Sequence, residues 1–502
     1  MNKQNINSII LILLFTIAPF QQPLTAAPKA SSTTVEQLNK SGLKQDYHYF
    51  FDSNIFDAYR VQFQTFANQQ LSHFPALQRT EDSDPFVNQV IQFINMLQTK
   101  VLTESYQQKR TQHDTLVRHL REINQVMQEK SYHKDTTNPA IAQAIKFIEA
   151  CNLWIFTQSD LVHPMQAFLF SQGILNKDLI EAAKVTALIE STLQFVSTSG
   201  NYKGNFSVDA DYLDPYFEGF IPSILFKAFS TQFIWIPRMT IEKVATRKIS
   251  INPEFLSYLR VLKQQGKKHL YINLMQRTRH EGAQSRALEA LASNPLYSDV
   301  LITLTLDKNS DFYWQEKQFS KFSDANIFKQ SFVKQLFYLP DDESMFYWPK
   351  HINADLKSSF TKIIDTVHAQ FFENKIVLSN QERQAFIEIC YVKFIEQFCK
   401  YYQPDYVNVS CKFSMDRGPS LFAFIYAYDA IINRPKRPEE PLLNAADKIQ
   451  ILTTLFAPPI LSHNRPPYDY RIDRIKEAII YLEKAALSIA QNKNIYTNIK
   501  KI

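Results

Sequence analysis

Seven consecutive residues carry the chemistry of this sequence: Cys411-Lys412-Phe413-Ser414-Met415-Asp416-Arg417. A thiol and a guanidinium flank five residues, between the β-rich run Tyr406–Ser410 and an apolar helical stretch from Pro419 to Ile432. A loop of that length between a strand and a helix can curl so that successive backbone N–H groups converge on an oxyanion. The start of the helix adds partial positive charge, which favours a dianion and lowers the pKa of a thiol placed there. Arginine presents a planar fork to two oxygens. A thiolate held this way can attack phosphorus in line and form a cysteinyl-phosphate that water hydrolyses. The bare spacing arises by chance in about one chain of this composition in seven, but Lys after Cys and Asp before Arg lower that below about one in a thousand.

The surrounding pattern supplies elements to position such a loop. Asn380–Tyr402 reads as a helix capped by Ser379 or Asn380 and stopped at Pro404-Asp405. Upstream, His269–Leu274 and Val300–Leu306 read as strands with a helix from Arg277 to Leu291 between them, a βαβ unit and therefore a parallel sheet. Sites in such folds gather at the carboxyl ends of strands. Lys308, Arg277, Arg279 and His280, and more distantly His463-Asn464-Arg465, are therefore candidates to line an anion pocket. Asp307, Asp311, Asp341 and Asp342 are alternatives to Asp416 for donating a proton to a leaving group. From about 46 to 250 the apolar spacing is helical, as in Phe86, Val90, Ile94, Leu97 and in Leu116, Leu120, Ile123, Met127. The expected organisation is a signal peptide over 1–27, a helical domain of unassigned role over 28–250, and an α/β domain over 251–502.

Composition removes several classes. Eight glycines in 502 residues form neither G-x-G-x-x-G nor a Walker loop, so neither a dinucleotide nor a nucleoside triphosphate site is expected. The net charge of +6 is dispersed, with no basic block interleaved with aromatics, so no nucleic-acid partner is expected. A weakly basic surface suits an anionic small molecule or lipid headgroup at a membrane surface. Lys3, the apolar run Ile9–Phe15 and the small residues Thr25-Ala26-Ala27 read as an export signal. The four cysteines, Cys151, Cys390, Cys399 and Cys411, form no zinc pattern, and neither a metal nor a cofactor is expected. Cys390 and Cys399 are separated by about 13 Å of helix and cannot bridge. Cys399 remains a candidate to cap Cys411 reversibly.

The C-K-x-x-x-D-R string resembles the active-site loop of Cys-based phosphoinositide and inositol-polyphosphate phosphatases. These include bacterial effector phosphatases and the animal inositol polyphosphate 4-phosphatases, whose loop reads C-K-S-x-K-D-R-T. Myotubularins share the D-R ending. The resemblance covers about fifteen residues, Tyr406 to Ser420. It implies a cysteine-phosphatase-like α/β fold, with Cys411 as nucleophile, Arg417 as phosphate clamp, Lys412 reading a neighbouring phosphate on the inositol ring and Asp416 as general acid. The loop residues Phe413, Ser414, Met415 and Gly418 would line the substrate site, although they depart from the family's pattern. Met415 replaces a second lysine, Ser414 a small residue or glycine, Phe413 a serine, and Gly418 a threonine that can bond the thiolate, a role Ser420 could take. With no glycine inside the loop, its tight turn falls to Ser414 or Met415. The implied partner is a phosphorylated inositol lipid or a soluble inositol phosphate. A phosphotyrosine protein is the competing substrate, and a non-enzymatic secreted interaction protein is the alternative outside catalysis.

Overall fold

Three runs rich in β-branched and apolar residues, His269–Asn273, Leu301–Thr305 and Tyr406–Ser410, are buried along their whole length. Continuous burial is what the strands of a parallel sheet covered on both faces require. In a computed structural model of the chain they lie side by side as β5, β6 and β7. The structure describes residues 54–99, 106–129, 137–199, 222–237, 239–243, 248–278, 281–349, 354–434, 440–463 and 465–499. The expected signal peptide over 1–27 lies outside them. All described residues belong to one compact unit, Asp46–Ile502.

The fold is mixed α/β and mostly helical. Helices α1 (Asn54–Leu71), α2 (Pro85–Gln98), α3 (Tyr106–Glu129), α4 (Pro139–Thr157), α5 (Val162–Ser171), α6 (Lys177–Ala182) and α7 (Val185–Thr198) come first. Strands β1 (Ser223–Ala228), β2 (Thr231–Trp235), β3 (Thr240–Lys243) and β4 (Lys248–Ile251) follow, then α8 (Pro253–Gln264), β5, α9 (Gly282–Ser293), β6, α10 (Asp311–Trp314), α11 (Ala325–Phe337), α12 (Ala354–Phe372) and α13 (Asn380–Tyr402). The chain continues through β7, α14 (Arg417–Tyr428), α15 (Ala445–His463) and α16 (Asp469–Ile499). The five-stranded sheet has the order β1-β2-β7-β5-β6. β2, β7, β5 and β6 are mutually parallel, and β1 turns back antiparallel at the edge. Among the described residues no helix is long and apolar enough to cross a membrane.

Two expectations shift. The boundary at residue 250 falls inside β4, and β1 and β2, from before it, complete the sheet that β7 centres. Their sequence, SILFKA and TQFIW, is short and follows a long helical stretch, so the period-2 signal is weak there. The helix expected from Arg277 begins at Gly282, because Arg277 is needed elsewhere, as described below. The helix over Asn380–Tyr402 has the expected bounds. Ser379 accepts from Glu382 N–H at 3.1 Å while Glu382 accepts from Ser379 N–H at 2.7 Å, a reciprocal cap.

The sheet buries a histidine. His269 Nε2 is 2.6 Å from Asn408 Oδ1 and Nδ1 is 3.1 Å from Tyr258 Oη. Burial pushes its pKa down to about 4, as it does for His113 in the helical half. Each group is neutral when folded but takes up a proton near pH 6.5 when unfolded. The stability it contributes is therefore complete above pH 6.5 and falls as the pH drops towards 4, by about 1.4 kcal/mol per pH unit per group. Urea unfolding at pH 7.5 and pH 5 should show this loss, and His269→Gln should flatten the dependence. An identical pH dependence in both proteins would contradict the assignment.

Candidate active site

Strand register fixes where the loop begins. Asn273 of β5 pairs with both Ser410 of β7 and Thr305 of β6, so the three strands end level. Leu274 N–H donates to Ser410 O at 2.8 Å. Cys411 thus leaves the carboxyl edge of the middle strand, and the helix that follows starts at Arg417.

The turn is made by Ser414, at φ +51°. A non-glycine residue in this region needs support from its surroundings. Ser414 is buried; its Oγ donates to Val409 O at 3.2 Å, and its carbonyl accepts from Trp235 Nε1, at the end of β2, at 3.0 Å. Gly418 makes this packing possible. A Cβ there would lie 2.6 Å from Ser414 Oγ and 3.1 Å from Val409 O. Gly418→Ala is expected to destabilise the protein by about 1–3 kcal/mol through overpacking, although alanine is the better helix former. A lowered melting temperature checks this; an unchanged or raised one would mean that the loop has room to move.

Arg417 is anchored from one side. Its Nη1 donates to Leu274 O at 2.7 Å and to Glu281 Oε2 at 2.8 Å, and its Nη2 donates to Glu281 Oε1. Glu281 sits at the N-cap of α9 and also accepts from Gln276 N–H at 3.0 Å. Burial opposes the Glu281 charge, yet Arg417, the Gln276 N–H and Lys412 together hold its carboxyl below the ordinary value. Burial likewise opposes the Arg417 charge, but Glu281 and then Cys411 outweigh it, so the guanidinium stays protonated. Of the five guanidinium N–H groups, Nε–H and one Nη2–H have no protein acceptor among the described residues. These two lie on the same edge of the plane and form the fork that a tetrahedral oxyanion needs.

The remaining loop residues take different parts. Cys411 is 5% exposed, and Met415 is buried. Lys412 and Phe413 are half-buried, with Lys412 Nζ 5.1 Å from the Phe413 ring centre. Asp416 is held by Arg465, with Nη1–Oδ1 at 2.8 Å and Nη2–Oδ2 at 2.6 Å, and Arg465 stacks 4.4 Å over Tyr468. A carboxylate in this bidentate grip is an acceptor; to act as a general acid it would have to release Arg465 and take up a proton. Ser420 Oγ donates to Arg417 O at 3.0 Å, so its hydroxyl serves the helix start rather than the thiolate.

Candidates from neighbouring strands are mostly committed elsewhere. Arg277 spends its guanidinium on Glu289, on Asp341 and on the carbonyls of Asp341, Ser344 and Phe346. It fastens the segment after α11 to the sheet and does not line the loop. Lys308 is buried and paired with Glu388 at 2.8 Å, with burial pushing its pKa down to about 8. Asp307 accepts from Asn309 N–H at 3.0 Å and Ser310 N–H at 2.9 Å and shapes its own turn. Asp311 pairs with Lys317 at 2.9 Å, and Asp342 is exposed. Arg279, His280 and Asn464 lie outside the described residues.

All four thiols are free. Burial pushes Cys151 and Cys390 well above the usual thiol range and Cys399 up to about 12, which marks these three as core residues. Cys399 bonds Thr231, at the amino end of β2, where Gln232 pairs with Tyr406. Cys411 lies at the opposite end of β7, about 17 Å away at the usual rise per residue, so Cys399 cannot cap it.

Sequence reasoning missed Glu281. The rule that sites gather at strand ends pointed to Arg277, Arg279 and His280, but selecting cations for an anion pocket passed over the carboxylate that anchors Arg417. Among the described residues no cluster of three or more His, Cys, Asp or Glu is placed to hold a metal ion. No family model, curated protein or solved structure matches the chain.

Proposed function

We propose that the protein is an exported Cys-dependent phosphatase with a cysteine-phosphatase-like α/β core, acting on phosphate monoesters of phosphoinositides or inositol phosphates. One observation carries this reading. Arg417, at the far end of the loop that Cys411 opens, is fixed by Glu281 and Leu274, and Nε–H and one Nη2–H of its guanidinium have no protein acceptor among the described residues. In the proposed reaction the Cys411 thiolate forms a bond to phosphorus as the bond to the substrate alcohol breaks, and that alkoxide takes a proton from solvent water. Water then cleaves the S–P bond, releasing phosphate and restoring the thiolate. Nε–H and Nη2–H of Arg417 receive the equatorial oxygens, whose charge is greatest in the transition state. Lys412, half-buried beside Phe413 and close enough to Glu281 to lower its carboxyl, is the loop's second cation and in this reading faces a further anionic group on the substrate.

Acid quenching during turnover of p-nitrophenyl phosphate tests the reading. Phosphate should be found on the peptide containing Cys411. Phosphate release without that adduct, and unaltered in Cys411→Ser, would exclude it.

A further inference from the structure

Of the buried cations at the carboxyl end of the sheet, one meets no carboxylate among the described residues. Lys308 and Arg474 face Glu388, with Arg474 Nε 3.6 Å from Oε1. Arg465 takes Asp416, and Arg417 takes Glu281. Arg471, in the first turn of α16, has no carboxylate within ion-pair distance among the described residues. It is only 4% exposed. Its protein acceptors are neutral: Lys308 O, at 2.5 Å from Nη1, and Asn309 Oδ1, at 3.1 Å from Nη2. The ring of Trp314 lies 4.6 Å away. Its Nε–H is buried without a hydrogen-bond partner. The rings of Tyr313 and Tyr470, at 5.5 and 5.3 Å, and the neutral acceptors offset part of its charge, but an orphaned donor on a buried cation without a counter-ion is costly, and a native structure that keeps one needs a reason.

The position of Arg471 supplies one. Lys308 and Asn309 follow β6, which lies two strands from β7, so the guanidinium sits on the order of 10 Å from Cys411 across the same end of the sheet. Gln276 connects the two places, with Nε2 donating to Asn309 O at 3.1 Å and its backbone N–H donating to Glu281. From the other side, Tyr468 N–H reaches Asp416 at 3.4 Å and Arg471 N–H donates to Tyr468 O at 2.9 Å.

We propose that Arg471 is a second anion subsite, which receives a phosphate group on the same polyol ring as the phosphate held at Cys411 and Arg417. The assignment rests on the phosphatase reading and extends it to substrates carrying at least two phosphates. It also supplies, from α16, the positive charge that the loop lacks at Met415.

Binding to the Cys411→Ser protein tests the subsite without requiring turnover. Calorimetry compares an inositol monophosphate with an inositol bisphosphate, and vesicles carrying a phosphatidylinositol monophosphate with vesicles carrying a bisphosphate. The bisphosphate should bind at least about tenfold tighter in one of the two arms, and that arm identifies a soluble or a lipid-borne source. Arg471→Met in this background should erase the preference. Arg471→Lys, which keeps the charge and loses the planar fork, should retain part of it and carries the test if the methionine variant does not fold. Equal affinities in both arms, or a preference that survives removal of Arg471, would overturn the subsite. Failure of the catalytic reading is read separately, from p-nitrophenyl phosphate release by the protein with Cys411 intact.

Discussion

Cys411→Ser is expected to lower phosphate release by roughly 10³- to 10⁶-fold, the scale seen when a covalent nucleophile is removed. The hydroxyl is nearly isosteric with the thiol but is not ionised at neutral pH, and the carboxylates at the loop, Glu281 and Asp416, are both engaged by arginines. Substrate affinity should persist, because the Arg417 fork and the loop backbone are untouched. The informative pattern is thus a collapse of kcat with little change in binding. The test is sharp because burial pushes the other three thiols well above the usual range, so none of them can supply a thiolate in its place. Full activity in the serine protein would move the chemistry away from this loop altogether.

Arg417→Lys is expected to cost about 10²- to 10³-fold in kcat, close to the loss on removing a transition-state donor. Lysine keeps the charge but cannot hold Glu281 with two bonds while offering two more to an oxyanion. Glu281→Gln tests the same arrangement from behind. It leaves Arg417 in place but exchanges a bidentate ion pair for one neutral acceptor. The guanidinium should lose its fixed orientation, and kcat should fall by about 10-fold or more while the fold persists. If the Glu281 variant lost stability but kept kcat, the pair would be a structural tie between α9 and α14, and Arg417 would have no role in holding phosphate.

The pair also shows how buried charge is handled here. Each cation at the sheet end except Arg471 meets a carboxylate, and several pairs come from segments far apart in sequence: Asp416 with Arg465, and Lys308 with Glu388. Removing one partner would leave the other buried and unpaired, which is costlier than losing the pair. Single substitutions at Arg465 or Glu388 therefore report first on folding.

The sequence alone determined the local features. The level strand Tyr406–Ser410, the helix Asn380–Tyr402 and its cap, the parallel pairing of β5 with β6, and the placement of Cys411 and Arg417 at the two ends of one loop all follow from short-range pattern. So does the assignment of the tight turn to Ser414 or Met415, since the loop holds no glycine; the structure gives it to Ser414, at positive φ. Tertiary structure decided what no neighbouring residue encodes. It brought β1 and β2 across the expected boundary into the sheet, gave Arg417 to Glu281 and Asp416 to Arg465, committed Arg277 and Lys308 to structural pairs, and set Cys399 at the far end of the sheet from Cys411. Ion pairs between distant segments depend on strand order and helix packing. A charged residue's spacing along the chain says that it must be satisfied, and only the fold says by what.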